Sequence, residues 1–268
     1  MIKSTFGITK EPFNQHNFKL LGQQEQILKL IKIHSQHGGF SVIVGNPGVG
    51  KSVLKDHIQT IGNEKDTIVA SFSRTMHTYL NILKQLVESF QLDCPPKHYE
   101  KELIQIAYKH VRDRKTLFTL IDEAHLMDMH TLRKLRLLFD RFPGKHNLVL
   151  FGQRDLLHYL SLNVNEDIKS RITYSQTIYP LNNIDLDAYI LNELEQVRLG
   201  VNTFDNGATE LIIRSSEGNL RLCRNLCYAS LIDACMENKK IVSIRHVNAV
   251  LIQPHWRSHE ELIKQQVK

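Results

Sequence analysis

A glycine-rich run near the start of the chain has the composition of a loop that wraps around phosphate groups. Its residues are Gly45, Asn46, Pro47, Gly48, Val49, Gly50, Lys51 and Ser52, and they match the pattern G-x-x-x-x-G-K-[ST] at every fixed position. Glycines let backbone N–H groups turn toward an anion, and a helix that follows points its positive end at the same place. We predict that this loop and Val53 bind a nucleotide, with Lys51 between the β- and γ-phosphates and Ser52 as a ligand of Mg²⁺.

Two acidic residues directly follow an apolar run farther along the chain. Residues 116–121 read TLFTLI, which is typical of a strand buried on both faces, and Asp122 and Glu123 come next. Such a strand would deliver both carboxylates to the carboxyl edge of a sheet, beside the phosphate loop. We predict that Asp122 holds Mg²⁺, directly or through water, and that Glu123 polarises the attacking water. A strand followed by an acidic helix cap is the alternative.

Three further polar residues could act on the same phosphates. Gln153 ends the apolar run 147–152, where an amide would lie between the two earlier strands and orient water, although a surface glutamine has the same pattern. Arg171 precedes a further predicted strand, 173–179, and resembles the arginine finger that reaches the ATP of a neighbouring subunit. Arg154 is the competing candidate for the finger, and a plain surface arginine is the third possibility.

The elements that must position these residues alternate between strand and helix. The apolar pattern predicts strands at 40–44, 67–73, 116–121, 147–152 and 173–179. It predicts helices between them at 23–36, 52–60, 79–92, 99–114 and 130–142. This alternation implies right-handed crossovers and a mainly parallel sheet. After Pro180 only helices are predicted, at 184–199, 206–216, 220–238 and 243–252.

The chain therefore divides into four predicted segments. They are an irregular lead-in over residues 1–22, a nucleotide-binding core over 23–180, a helical lid over 181–255 and a tail over 256–268. The predicted fold class is α/β, a P-loop NTPase with a parallel-sheet αβα core and a small C-terminal helical domain.

Composition narrows the class of protein. Of the 268 residues, 42% are hydrophobic and 23% are charged, which is ordinary for a soluble globular protein. No apolar run approaches the roughly 20 residues of a membrane helix, and the N-terminus lacks the apolar core of a signal peptide, so we expect a cytoplasmic protein without a membrane partner. The net charge of +6 suits contact with a polyanion without requiring it. The four cysteines are interpreted as buried thiols.

The predicted lid carries a motif of its own. Gly218-Asn219-Leu220-Arg221 resembles the sensor-2 motif G-x-P-R of AAA+ ATPases, with Leu220 where proline is usual. The resemblance implies that Arg221 folds over the nucleotide from the lid. The missing proline implies a less rigid loop.

Several longer runs resemble ExeA-like AAA+ ATPases, a likeness that covers about residues 5–255. They are Phe6-Gly7-Ile8 with Glu11-Pro12-Phe13, GQRDL at 152–156, Ser170-Arg171-Ile172 and GNLRLCRNLC at 218–227. The resemblance implies ATP and Mg²⁺ as cofactors, and an adenine site in the lead-in. The residues around that implied site are Phe13, Leu20, Leu21 and Gly22, which could equally be plain core packing.

Two kinds of protein share this ATPase. One is a secretion or cell-envelope ATPase that continues into a transmembrane segment, and the other is a stand-alone regulator of DNA transposition related to MuB, TniB and TnsC. Because the chain ends soon after the predicted lid, the resemblance favours the regulator. It implies ATP-bound subunits that assemble as a ring or helical filament on double-stranded DNA. The implied partners are a DDE-type transposase and a target-selection protein. An ATP-driven switch that never binds DNA and a P-loop scaffold that does not hydrolyse ATP stay as alternatives.

The implied DNA contacts are to phosphates, which predicts binding that is nearly independent of sequence and falls steeply with salt. The first candidates are Arg74 and Thr75, in the loop after the second strand. The weaker candidates are Lys97, Lys101, Arg133, Lys134 and Arg136. A solvated helix face explains these basic residues equally well.

Overall fold

A computed structural model describes residues 2–13, 19–61, 66–72 and 78–253 of the chain. The chain forms two compact units, one of residues 22–179 and the other of residues 1–21 and 180–268. In chain order the helices are α1 (Ile2–Phe6), α2 (Gly22–Ser35), α3 (Lys51–Ile61), α4 (Tyr79–Ser89), α5 (Tyr99–Arg112), α6 (Met129–Phe139), α7 (Arg154–Ser161), α8 (Glu166–Lys169), α9 (Asn183–Gln196), α10 (Asn206–Ser216), α11 (Leu220–Met236) and α12 (Ile244–Leu251). Short 3₁₀ turns lie at Pro96–His98, Ala124–Leu126, Asn163–Asn165 and Val201–Thr203.

The first unit is built on a five-stranded sheet with the order β2-β3-β4-β1-β5. Its strands are β1 (Gly39–Gly45), β2 (Thr67–Phe72), β3 (Thr116–Ile121), β4 (His146–Gly152) and β5 (Ile172–Ile178). Every neighbouring pair is parallel, as the alternation of strands and helices predicts. The order puts β4 between β3 and β1, so the carboxyl ends of these three strands lie side by side.

Alternate residues of the central strands pack into apolar clusters on the two faces of this sheet. Val42 and Val44 join the cluster that includes α4, α5 and α6, whereas Ile43 joins the cluster that includes α2 and α3. Because both faces are covered, β1, β3 and β4 are buried almost throughout. The predicted α/β sandwich is confirmed. The sequence pattern does not predict α7 or α8, because helices of 8 and 4 residues are too short to show a clear period.

The second unit is helical and includes the start of the chain. Residues 2–6, predicted as irregular, form α1, which contacts α11. Phe13 is 4% exposed, and its ring makes edge contacts with Tyr189 and Phe204 at centroid distances of 6.3 and 6.2 Å. The backbone N–H of Phe13 donates to Glu193, whose pKa burial raises to about 7. The lead-in therefore contributes to the core of the helical unit.

The chain enters the sheet unit at residue 22 and leaves it at residue 179, and these two points are neighbours. Gln23, at the start of α2, donates from Nε2 to the carbonyl of Thr177 at 3.0 Å. Its Oε1 accepts from the backbone N–H of Tyr179 at 3.2 Å. One side chain therefore fixes the first turn of α2 beside the end of β5.

The cysteines are free thiols, with Cys223, Cys227 and Cys235 buried and Cys94 partly exposed. None of the helices in the described ranges has the length and apolar character needed to cross a bilayer.

Candidate active site

The loop between β1 and α3 has a backbone shape that depends on glycine. Gly48 and Gly50 have φ angles of 85° and 99°, in the left-handed region that other residues rarely adopt. Between them Val49 is 1% exposed and packs into the apolar cluster under α2 and α3. The loop is therefore anchored by one side chain, while its backbone curves around the amino end of α3.

Lys51 opens α3 and directs its charge back into this loop. Its ammonium donates to the carbonyl of Gly45 at 2.7 Å and to that of Asn46 at 3.0 Å, and the residue is 7% exposed. Ser52 is exposed and Val53 is buried on the next two positions of the helix. An ammonium in this position can donate to any anion that the loop receives.

Asp122 follows β3, two strands away from the loop, and both of its carboxylate oxygens have partners. Oδ1 accepts from the backbone N–H of Glu123 at 2.9 Å, and Oδ2 forms an ion pair with Nζ of Lys55 at 2.8 Å. Lys55 lies one turn beyond Lys51 on α3. Lys55 is a site residue that the sequence motifs do not mark, although its spacing of four from Lys51 puts both lysines on the same helix face.

Glu123 has a strained backbone and a partly exposed carboxylate. Its φ and ψ are 51° and 35°, a left-handed conformation that costs a non-glycine residue about 1–2 kcal/mol. Strain of this kind is concentrated at functional sites, where the surrounding structure maintains it. The side chain is 49% exposed, so water can reach the carboxylate that is predicted to polarise it.

His125 connects Glu123 to Gln153. Its Nδ1 lies 3.4 Å from Oε2 of Glu123, and the same nitrogen is 3.4 Å from the backbone N–H of Gln153, which donates to it. The two contacts are alternatives, because Nδ1 accepts when it is unprotonated and donates when it carries a proton. His125 is not among the residues predicted from the sequence, although it follows Asp122 and Glu123 in the run Asp-Glu-Ala-His.

Gln153 directly follows a strand, as its sequence predicts. It follows β4, which lies between the strand that bears Asp122 and the strand that leads into the phosphate loop. Its role in orienting water stays a prediction.

The two candidates for the arginine finger lie at opposite ends of the parallel strands, Arg171 at the amino ends and Arg154 at the carboxyl ends. Arg171 immediately precedes β5, and its neighbour Ile172 pairs with Phe40 at the start of β1. The phosphate loop follows the other end of β1, and a strand of 7 residues spans about 20 Å at a rise of about 3.3 Å per residue. Arg171 therefore cannot reach the loop of its own chain. Arg154 follows β4 at the loop's edge, with its guanidinium 5.6 Å from the ring of Tyr179.

Asp140 holds Arg171 in place at its edge of the sheet. Nη2 of Arg171 lies 3.6 Å from Oδ2 of Asp140, and the arginine side chain is 57% exposed. The same carboxylate oxygen is 3.8 Å from Nη1 of Arg136. The guanidinium of Arg171 is thus oriented and still accessible from outside the chain.

The predicted sensor-2 residue lies in the helical unit, on the first turn of α11. Arg221 is exposed, and the side chain of Asn219 accepts from the backbone N–H groups of Arg221 and Leu222, both at 3.1 Å. This cap fixes the turn that the sequence analysis expected to be less rigid without proline. The role of Arg221 toward a nucleotide stays a prediction, as does that of Phe13 and Leu20, which are both buried.

The DNA-contact candidates divide by how their side chains are engaged. Arg74 and Thr75 lie outside the described residues. Arg133 donates to the carbonyl of Val164 at 2.8 Å and to Oδ1 of Asn165 at 2.7 Å. These bonds fix the segment before α8, so they support a structural role for Arg133 more than a contact with DNA.

The remaining basic candidates are engaged to different degrees. Arg136 donates to the carbonyl of Asp167 at 3.3 Å, and its side chain is 17% exposed. Nζ of Lys134 lies 5.5 Å from the centre of the Tyr79 ring. Lys97 and Lys101 are exposed on the surface near the start of α5. Lys134 is exposed as well, and contact of these lysines with DNA stays a prediction.

The oxygen atoms at the carboxyl edge of the sheet fit a magnesium ion. Mg²⁺ prefers hard oxygen ligands and is usually held by one or two protein groups besides water and phosphate. The carboxylate of Asp122, directly after β3, and the hydroxyl of Ser52, on the first turn of α3, are groups of this kind. Both assignments are predictions.

Comparisons with known proteins agree with this fold. A family model described as an AAA domain matches residues 33–160. No curated protein matches the sequence. Cdc6p from Pyrobaculum aerophilum is similar with a TM-score of 0.73 and 18% identity, over 97% of this chain and 73% of that chain. Two proteins of Aeropyrum pernix are also similar. The first is ORC2 in ADPNP-ADP complexes, with a TM-score of 0.70 and 16% identity over 91% of this chain and 72% of that chain. The second is ORC1 in complex with DNA, with a TM-score of 0.64 and 14% identity over 86% of this chain and 65% of that chain. The chain therefore has the P-loop fold of AAA+ ATPases.

Proposed function

We propose that this chain, as a protein with the AAA+ fold, is an ATPase that assembles on double-stranded DNA and regulates DNA transposition. The observation that supports it most is the placement of charged groups on the sheet. Lys51, Asp122 and Glu123 lie at or beside the carboxyl ends of β1 and β3, whereas Arg171 lies at the opposite edge. A nucleotide site that is completed by Arg171 of a second copy of the chain would couple ATP hydrolysis to assembly.

Within one subunit, the loop and the acidic pair would divide the work of hydrolysis. Lys51 would bind the outer phosphates, and Glu123 would accept a proton from the attacking water, which Gln153 would help to orient. Mg²⁺, held by Ser52 and Asp122, would neutralise phosphate charge. His125 would position the carboxylate of Glu123, since its ring contacts that group at 3.4 Å.

The position of Arg171 favours a head-to-tail assembly. An arginine about 20 Å from its own loop can stabilise transition-state charge only in a neighbouring subunit. Contacts of this kind join two different surfaces of identical chains, so they produce a ring if the rotation closes and a helical filament if it does not. A homo-oligomer of either type would bring each Arg171 to the next subunit's nucleotide.

DNA is proposed as the polyanion that this assembly contacts. The net charge of +6, the exposed Lys97 and Lys101, and the similarity to a protein solved in complex with DNA support the proposal. The transposition role rests on the resemblance to MuB, TniB and TnsC. It implies a DDE-type transposase and a target-selection protein as further partners.

The proposal is tested by filter binding to duplex DNA of unrelated sequences, with ATP, with ADP and without nucleotide. We expect retention at low salt with ATP only, and a steep decrease as salt is raised. Lys51→Ala is the matched control, because it removes the nucleotide response without changing the basic surface. Equal retention in the three nucleotide states would contradict ATP-dependent assembly on DNA. Strand transfer by the transposase, measured with and without the chain, then tests the regulatory role.

Replacing Arg171 with Ala is expected to reduce ATP turnover by about a thousandfold, the usual contribution of an arginine finger. ATP affinity should stay unchanged, because Arg171 lies far from its own loop. Phosphate release and binding of a fluorescent ATP analogue measure the two quantities. Lys169→Ala, which removes a neighbouring exposed cation, is the control.

Mixing variants separates a finger that acts on a neighbour from one that acts within its own chain. Arg171→Ala subunits keep an intact loop, and Lys51→Ala subunits keep an intact finger, so the mixture should recover turnover that neither variant has alone. The finger would instead be Arg154 if turnover recovered when Arg154→Ala is mixed with Lys51→Ala and did not recover when Arg171→Ala is mixed with Lys51→Ala.

A further inference from the structure

We propose that Lys55 is a positioning residue. Its ammonium occupies the side of the Asp122 carboxylate where a metal ion would bind, and it thereby makes binding of a divalent ion depend on the nucleotide. The proposal deepens the magnesium site of the proposed function and rests on it. Lys51 and Lys55 share one face of α3, but their ammonium groups serve different partners. Lys51 donates to the carbonyls of Gly45 and Asn46, whereas Lys55 reaches across to β3.

The pair of Lys55 and Asp122 is close and buried. Nζ of Lys55 lies 2.8 Å from Oδ2 of Asp122, and the two side chains are 6% and 9% exposed. A charge buried to this degree is stable only with a partner, so each group compensates the other. The second oxygen, Oδ1, already accepts from the backbone N–H of Glu123. The carboxylate predicted to hold Mg²⁺ is thus neutralised by a side chain of the same chain.

This arrangement has a consequence for the order of binding. A divalent cation that approaches Asp122 alone meets the ammonium of Lys55 at the same oxygen, and the two positive charges repel each other. Phosphate groups in the loop would add negative charge beside the ion and offset that repulsion. Lys55 therefore disfavours an ion without a nucleotide and leaves Asp122 oriented for an ion that arrives with one.

The test measures binding of Mn²⁺ to the nucleotide-free chain, from the EPR signal of the free ion. Lys55→Met removes the charge and keeps an unbranched side chain of similar length, and it is expected to bind Mn²⁺ at least about tenfold more tightly than the wild type. Lys55→Arg keeps the charge and should bind Mn²⁺ like the wild type. In the double variant Lys55→Met with Asp122→Asn the tightened binding should disappear, which assigns the site to Asp122.

Equal Mn²⁺ affinities in the wild type and Lys55→Met would refute the proposal. If thermal melting shows that Lys55→Met is unfolded, Lys55→Gln replaces it, because its side chain is polar but uncharged, and the same tightening is expected. The measurement contains neither nucleotide nor DNA. Its failure is therefore distinct from that of the proposed function, which would appear as a wild type that does not bind magnesium-ATP.

Discussion

Replacing Glu123 with Gln is expected to leave ATP binding intact and to lower turnover by about a thousandfold, within the range that a general base contributes. The amide has nearly the shape of the carboxylate but cannot accept the proton of the attacking water. Because hydrolysis would drive disassembly, ATP-bound subunits should accumulate as rings or filaments. Phosphate release measures the turnover, and light scattering together with electron micrographs measures the assemblies.

Glu166→Gln is the matched control for this variant. Glu166 is an exposed carboxylate on α8, with 65% of its side chain accessible, and it lies on the same unit as Glu123. Its replacement should leave turnover and assembly unchanged. Turnover of Glu123→Gln near the wild-type rate would remove Glu123 as the base, and normal disassembly of that variant would separate disassembly from hydrolysis.

Replacing Lys51 with Ala is expected to weaken ATP binding at least about a hundredfold, since each hydrogen bond from a charged donor contributes about 1.5–3 kcal/mol. Lys51 is 7% exposed, and its ammonium already points into the loop, where it donates to the carbonyls of Gly45 and Asn46. Binding of a fluorescent ATP analogue measures the loss directly. Thermal melting adds a second measure, because a ligand raises the melting temperature only of a chain that binds it.

The control for Lys51 must separate its local role from the loss of one positive charge. Lys29→Ala removes an exposed lysine from α2 and should keep the affinity and the ATP-induced rise in melting temperature. A Lys51→Ala chain that still melts at a higher temperature with ATP would show that the loop holds phosphate through its backbone alone.

Local patterns of sequence predict most of the sheet unit. The strands β1, β3 and β4 are short apolar runs, and the phosphate loop and the acidic pair directly follow β1 and β3, so chain position alone places them at strand ends. The order of the strands in the sheet cannot be predicted from local sequence, because β1 pairs with β4 and β5, which lie more than a hundred residues away. Periodicity carries no information about such pairings.

Side-chain partners across elements were the harder part to predict. Lys55 and Asp122 are separated by 67 positions and meet only because α3 packs near β3. Arg133 lies on the predicted helix, but its bonds to Val164 and Asn165 depend on the short segment before α8. Phe13 falls in a lead-in whose partners, such as Tyr189, come from the far end of the sequence. Each of these contacts depends on tertiary structure.

The two hydrogen bonds of Gln23 have a consequence for how the chain could be rearranged. The sheet unit is one continuous stretch inserted into the helical unit, whose own sequence it interrupts. Gln23, at the start of the insert, bonds to Thr177 and Tyr179 at its end, so the two ends of the insert are close together. The stretch 22–179 could therefore be transplanted into a surface turn of another host protein, and residues 21 and 180 could be spliced by a short linker to give a helical unit without its insert.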